Sequence, residues 1–200
     1  MLTIFEVPAA GTSVQALHDI FKSSSERFVI GTNVQDPSIL QITAEQPFDS
    51  SSRDDPSILP RLHALKVTTT LVDFKRELFA HKAPPIVEYV RIEFPAWKNP
   101  GFEKGIEEDF ARFEEIMRRR GKMEDLGEVF LETGWTLEYN SYTNGTQRMK
   151  SFVVVRGWES MEKFLEAVAT EEFKEAVPIL MGWGMPYKLV CLSDASEGFG

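Results

Sequence analysis

One pattern occurs twice along this chain: strand, helix, two strands, helix, strand. The order comes from periodicity, since alternating apolar residues mark a strand and apolar residues three or four apart mark one face of a helix. In the first copy residues 2–7 read as a strand, and Ser13 opens a helix with Val14, Leu17, Ile20 and Phe21 on one face. Residues 28–30 and 39–43 are short strands with the turn signal Asp36-Pro37 between them. Residues 47–56, with three consecutive serines and Arg53-Asp54-Asp55, form a polar loop. A brief helix follows around Ile58, Leu59, Leu62 and Leu65, which Pro60 tolerates only in its first turn, and then a β-branched strand over 67–74.

The second copy repeats the order with stronger signals. In residues 86–94, Ile86, Val90, Ile92 and Phe94 share one face, and Tyr89, Arg91 and Glu93 the other. Phe102, Ile106, Phe110, Phe113 and Met117 recur at helical spacing, and Arg118-Arg119-Arg120 before Gly121 is a stop signal. Two long strands over 129–139 and 149–158 are joined by a hairpin at 140–145. Met161, Phe164, Leu165 and Val168 mark the next helix, and Thr170 caps a shorter one expected to end near Pro178. The last strand covers 185–192.

Eight strands and four main helices in this order predict an α+β fold built from two tandem ferredoxin-like βαββαβ units. Each sheet has helices on one face and a second, partly apolar face. Packing those second faces sheet to sheet buries both and gives a pseudo-dimeric α+β barrel within one chain. The expected boundaries are 1–80 for the first half, 81–85 for a connector, 86–192 for the second half and 193–200 for a disordered tail.

The two halves differ in chemistry. All four Trp and all four Tyr lie after residue 84, and all three His before it. Residues 1–83 carry 8 Lys+Arg against 10 Asp+Glu, and residues 84–200 carry 14 against 21. The net charge of −9 argues against nucleic-acid or anionic-membrane binding, because phosphate contact needs a basic face. No run of roughly 18 apolar residues is present, so no membrane span is expected. The start of the chain reads as a strand rather than a signal peptide, and Asn144-Gly145-Thr146 as a turn rather than a glycosylation site. The single Cys191 has no intrachain disulfide partner, which points to a reducing, cytoplasmic setting.

Metal, dinucleotide and acyl-transfer motifs are absent: the histidines share no ligand spacing, the glycines form no phosphate loop, and no Gly-x-Ser-x-Gly elbow occurs. No cofactor or metal is therefore expected. His18, at the edge of the first helix's apolar stripe, and His63, on the brief helix, could move protons at neutral pH, or each could be a boundary residue with one hydrogen bond. His81 is a solvent residue of the connector. Tyr89, Arg91 and Glu93, with Glu132, Glu138 and Arg156, fit solvated cross-strand pairs, or a site if that face lies under the helices. Trp97, Trp135, Trp158, Trp183 and Tyr139, with Phe113 and Met117, suit the wall of a pocket for a flat apolar ligand, and equally a well-filled core.

The run Val153-Val154-Val155-Arg156-Gly157-Trp158-Glu159-Ser160-Met161-Glu162-Lys163-Phe164, followed by Glu172-Phe173-Lys174, resembles the dimeric α+β barrel superfamily of antibiotic-biosynthesis-monooxygenase and stress-responsive type, in its tandem fungal form. The resemblance covers most of residues 85–192 and only loosely residues 1–75, and its motifs are structural rather than catalytic. The family that the chain resembles includes cofactor-independent oxygenases of polyketide quinones, polyketide cyclases, lactone isomerases, haem-degrading enzymes and proteins of no known activity. The resemblance also implies a pocket between a sheet and its helices. Haem degraders use an axial histidine, which the aromatic half lacks. The resulting expectation is a cofactor-independent tailoring enzyme of secondary metabolism. It would remove a proton from an apolar, aromatic or polyketide-like substrate, and the anion would meet dioxygen or close a ring. Tyr89, Arg91 and Glu93, as catalytic residues, with Trp135 and Tyr139 would hold or polarise the substrate, and His18 or His63 would be the alternative base. The alternatives are a carrier, whose pocket would lack convergent acid–base groups, and a dimerisation protein with a filled core. Further pairing of two chains stays open.

Overall fold

The strands of this protein close into a ring. The computed structural model describes residues 2–22, 27–45, 68–75, 84–95, 101–137, 140–141 and 148–198. In chain order they form β1 (Leu2–Pro8), α1 (Val14–Lys22), β2 (Phe28–Asn33), β3 (Ile39–Ala44), β4 (Thr68–Phe74), β5 (Ile86–Pro95), α2 (Phe102–Met117), β6 (Glu128–Thr136), β7 (Asn140–Ser141), β8 (Arg148–Trp158), α3 (Met161–Val168), α4 (Glu171–Met181) and β9 (Tyr187–Gly198). The expected helix around 58–65 lies outside the described residues, as do His63, His81, Trp97 and Tyr139.

Within the first half the sheet order is β4-β1-β3-β2, and within the second it is β9-β5-β8-β6. These are the same order, each unit's fourth strand beside its first. Two seams, β4 with β6 and β2 with β9, join the sheets edge to edge into an eight-stranded antiparallel barrel, with the short β7 added beside β8. Each of the eight barrel strands is thereby paired on both sides.

The strand registers make the two halves superposable. Ile4 pairs with Thr43 and Thr70, and Tyr89 pairs with Val155 and Val190, so these three positions correspond. The same mapping carries the seam pair Val72–Thr136 onto Leu192–Asn33, which is the other seam. Gly31 then falls on Gly134. At Gly134 an added Cβ would sit 2.3 Å from the Asp73 carbonyl oxygen, so only glycine lets β4 and β6 approach.

Three packed layers result. The barrel lumen is filled by residues of both halves, among them Leu2, Ile4, Val72, Val87, Val155 and Leu192. Alternate residues of the second half point outward under α2, α3 and α4, where Phe94, Phe110, Phe113, Phe152 and Trp158 form the largest core. Under α1 a smaller core gathers Phe5, Leu17, Phe21, Phe28 and Ile30.

Two boundaries differ from the sequence reading. The last strand continues past Leu192 to Gly198, where a disordered tail was expected, because 193–198 pair with β2 and cover what would otherwise be an open edge. Pro178 does not end its helix. It lies inside α4, which runs on to Met181, and the Gly182 N–H still donates to the Pro178 carbonyl at 2.9 Å. Proline there removes one backbone donor, but the following turn closes without it. No helix among the described residues is long and apolar enough to cross a membrane.

Candidate functional site

Strand β5 is buried on both sides, so each polar residue in it must be answered. Ile86, Ile92 and Phe94 point toward the helices, and between Ile86 and Val90 on that same face stands Glu88. Its neighbours across the ladder are Arg156 on β8 and Cys191 on β9. A carboxylate in an otherwise apolar stripe is expensive unless it is paired.

Glu88 and Arg156 line a cavity of about 200 Å³ between the outer face of the second sheet and α2, α3 and α4. Among the described residues they are its only charged lining residues, and the wall is otherwise apolar, with Phe113, Met117, Trp158, Phe173, Trp183 and Leu189 contributing. Met181 and Tyr187, 54% and 58% exposed, stand where the cavity meets solvent. Met117 and Met185 also line it, and flexible thioethers let such a wall adapt.

Below Glu88 lies a buried ionic cluster. Arg156 pairs with Glu114 of α2 and, at 3.0 Å, with Glu128 of β6. The half-exposed Arg118 reaches both carboxylates, at 3.5 and 3.7 Å. Arg156 also lies 5.7 Å from the centre of the Trp158 ring, and the Trp158 indole N–H donates to Glu88 at 3.0 Å. Arg156 is therefore already engaged by two carboxylates, and Glu88 is a third that has no cation of its own among the described residues.

The electrostatics follow from that count. Burial raises Glu88 above the ordinary carboxylate value, against the pull of Arg156 and the Trp158 N–H, with the Glu114 charge adding to the rise. Glu128 is raised as well, again chiefly by burial. Burial disfavours the charge on Arg156, but Glu114, Glu128 and Glu88 outweigh it and hold the guanidinium protonated. Such a set can take a proton from a bound molecule at the cavity floor and give it back. Cys191, beside Glu88, is pushed up to about 11 by its burial and is a weak nucleophile.

The residues singled out in the sequence fall into separate places. Phe113, Met117, Trp158 and Trp183 line the cavity. Trp135 does not: it packs on Phe94 and Phe152, gives its N–H to Glu107 at 3.0 Å, and faces a different hollow beside Lys150. Tyr89, Arg91 and Glu93 point neither to bulk solvent nor under the helices but into the barrel lumen, because closure turns that face inward. There the Tyr89 hydroxyl meets Thr43 at 2.7 Å, and burial pushes it up to about 12. His18 sits on α1 of the first half, edge-on to Phe28 with ring centres 5.3 Å apart, away from the cavity. His63, Trp97 and Tyr139 lie outside the described residues.

The sequence reading missed Glu88, Glu114 and Glu128. The signal for Glu88 was present as one acid inside an alternating apolar face. In the first half Thr3 and Ala44 occupy the positions of Glu88 and Arg156, so that half has no equivalent ionic floor. Among the described residues no group of three His, Cys, Asp or Glu is placed to hold a metal ion.

The sequence matches no family model and no curated protein. Solved structures do resemble this chain. An anthrone oxidase-like protein superposes with a TM-score of 0.56 at 10% identity, covering 100% of this chain and 94% of that one. A monooxygenase candidate of Fusobacterium nucleatum superposes with 0.50 at 9% identity, covering 100% and 94%. A ferredoxin-fold protein of Listeria monocytogenes related to antibiotic-biosynthesis monooxygenases gives 0.45 at 13% identity, covering 97% and 95%. At these identities the likeness is one of fold, the α+β barrel.

Proposed function

We propose that the protein is a small-molecule oxygenase of secondary metabolism that works by proton abstraction in the cavity of its second half, with Glu88 as the base. The observation that carries this reading is Glu88, among the described residues the one carboxylate on the wall of an apolar, aromatic-lined cavity and one without a cation of its own. A pocket for storage alone needs the aromatic wall but gains nothing from a buried acid, which costs stability. The named activities of the barrel neighbours, monooxygenase and anthrone oxidase-like, fit the same chemistry.

The substrate class follows from size and polarity. A closed apolar cavity of about 150 Å³ accepts a benzene ring, so about 200 Å³ with an open rim suits one or two fused rings inside and any third ring at the rim. The reacting position is a benzylic CH₂ made acidic by a carbonyl, either next to it or conjugated with it through the ring. Glu88 takes one proton, and the resulting enolate is held on the Arg156 side of the floor. Addition of dioxygen and return of the proton from Glu88 give a hydroperoxide, and loss of water leaves a ketone. The sum is CH₂ + O₂ → C=O + H₂O, which needs no outside reductant. A substrate with an internal electrophile would close a ring from the same enolate.

Two ring sizes of carbon acid, 2-tetralone and anthrone, test this in air and under argon, with oxygen uptake and product mass as readouts. Wild type is expected to consume one O₂ per ketone formed, and Glu88→Gln to bind the ligand without turnover. Binding by both proteins with no uptake and no isomerised product would instead make the protein a carrier.

A further inference from the structure

The lumen holds a set of polar contacts that the cavity chemistry does not use, and three of them cross between the halves. Tyr89 of β5 meets Thr43 of β3 at 2.7 Å, Arg91 of β5 donates to Thr70 of β4 at 3.4 Å, and Lys188 of β9 pairs with Glu6 of β1. In each pair the second half supplies the tyrosine or the cation, and the first half the small hydroxyl or the acid. Tyr89, Thr43 and Thr70 are buried, at 5%, 0% and 8% exposure, so an unmatched hydroxyl there would lack water as a substitute.

We infer that these lumen contacts dictate which halves can close a barrel: the second half accepts a first half and rejects a copy of itself. The strand registers allow the comparison position by position. In the second half Val155 stands where the first has Thr43, Val190 where it has Thr70, and Arg91 where it has Glu6. Two second halves facing each other would therefore set Tyr89 against Val155, Arg91 against Val190, and Lys188 against Arg91. Every cross-lumen bond would be lost, and two cations would be brought together. Glu93 offers no rescue, since Arg91 of its own strand holds it at 3.1 Å. Two first halves fare no better, placing Glu6 opposite a neutral residue, Thr68, at the position of Lys188.

The functional consequence is one ionic floor of this kind per barrel. Because Thr3 and Ala44 replace Glu88 and Arg156 in the first half, heterotypic closure yields a single ionic floor. A barrel of two second halves would carry two. The first half acts as a keyed partner that completes the barrel.

The test converts the key in the intact chain. Glu6→Arg, Thr43→Val and Thr70→Val together give the first half the second half's lumen residues. This chain is expected to melt well below wild type and to populate species heavier than wild type in light scattering. A control with Glu6→Asp, Thr43→Ser and Thr70→Ser should keep the wild-type mass. A converted chain with unchanged mass and midpoint would overturn the inference. If it fails to fold, two pairwise cycles decide, Glu6→Arg with Lys188→Glu and Thr43→Val with Tyr89→Phe. Each double variant should lose less than the sum of its singles, because swapping or removing both partners leaves nothing unmatched. Additive losses in both cycles would overturn it.

Discussion

Arg156→Met is the perturbation whose cost the structure fixes best. The Arg156 side chain is 7% exposed, and its partners Glu114 and Glu128 are 11% and 6% exposed, so solvent cannot replace it. Removing one partner of a buried ion pair costs about 3–5 kcal/mol, because the opposite charge is left stranded. Here three carboxylates, Glu88, Glu114 and Glu128, would share the site with the half-exposed Arg118 as the one cation among the described residues. For a chain of this length each kcal/mol moves the melting midpoint by about 2–4 °C, so the expected drop at neutral pH is roughly 6–20 °C. Methionine keeps most of the volume, which limits any cavity contribution. Adding Glu114→Gln and Glu128→Gln should recover more than half of the loss, since neutral amides need no counter-charge. The deficit should also shrink as pH falls: protonated carboxyls no longer need the guanidinium, and in wild type Arg156 itself then loses its partners. Calorimetry of the single and triple variants between pH 4 and 8 measures all of this. A single-variant loss below about 1 kcal/mol, the level of an exposed pair, or a triple variant no better than the single, would refute a buried ionic floor.

Other consequences are checked with less effort. Glu88→Gln should be neutral or stabilising above the ordinary carboxylate range and without advantage below it. The folded protein holds the Glu88 proton more tightly than the unfolded chain, so wild-type stability from this group falls as pH rises from about 4.5 toward the raised folded value. Chemical denaturation at several pH values checks the sign. Gly134→Ala should cost about 1–3 kcal/mol by forcing β4 away from β6, since its Cβ would meet the Asp73 carbonyl at 2.3 Å. An unchanged urea midpoint would mean that the seam has room for a methyl group. Cys191, buried and pushed up to about 11, should resist a thiol reagent at pH 8 in the native protein and react at once in denaturant.

The repeat was legible because it rests on local periodicity: the stripe from Phe102 to Met117 and the alternation from Ile86 to Phe94 both need an amphipathic element wherever they are buried. Closure was harder to read. Tyr89, Arg91 and Glu93 could be weighed only as facing solvent or facing helices, whereas the ring of strands creates a third environment, a lumen, set by pairings between distant halves. The strand beyond Leu192 was illegible for a related reason. Residues 193–198 have no apolar alternation, and the edge of β2 holds them in the sheet. Glu88 was readable, as the one acid between Ile86 and Val90, but an apolar face is recognised by its apolar members and the exception is easily lost among them. Glu114 offered no such signal, since an acid among many on α2 becomes special only opposite Arg156.

The central claim is that Glu88 removes a carbon-bound proton inside the cavity of the second half, and deuterium exchange measures that step independently of any later one. 2-Tetralone or anthrone incubated in D₂O under argon should gain deuterium at its acidic CH₂ faster with wild-type protein than in buffer. With Glu88→Gln the rate should fall to that of buffer, while quenching of Trp158 and Trp183 fluorescence still reports bound ligand. Exchange by Glu88→Gln at the wild-type rate would contradict the account.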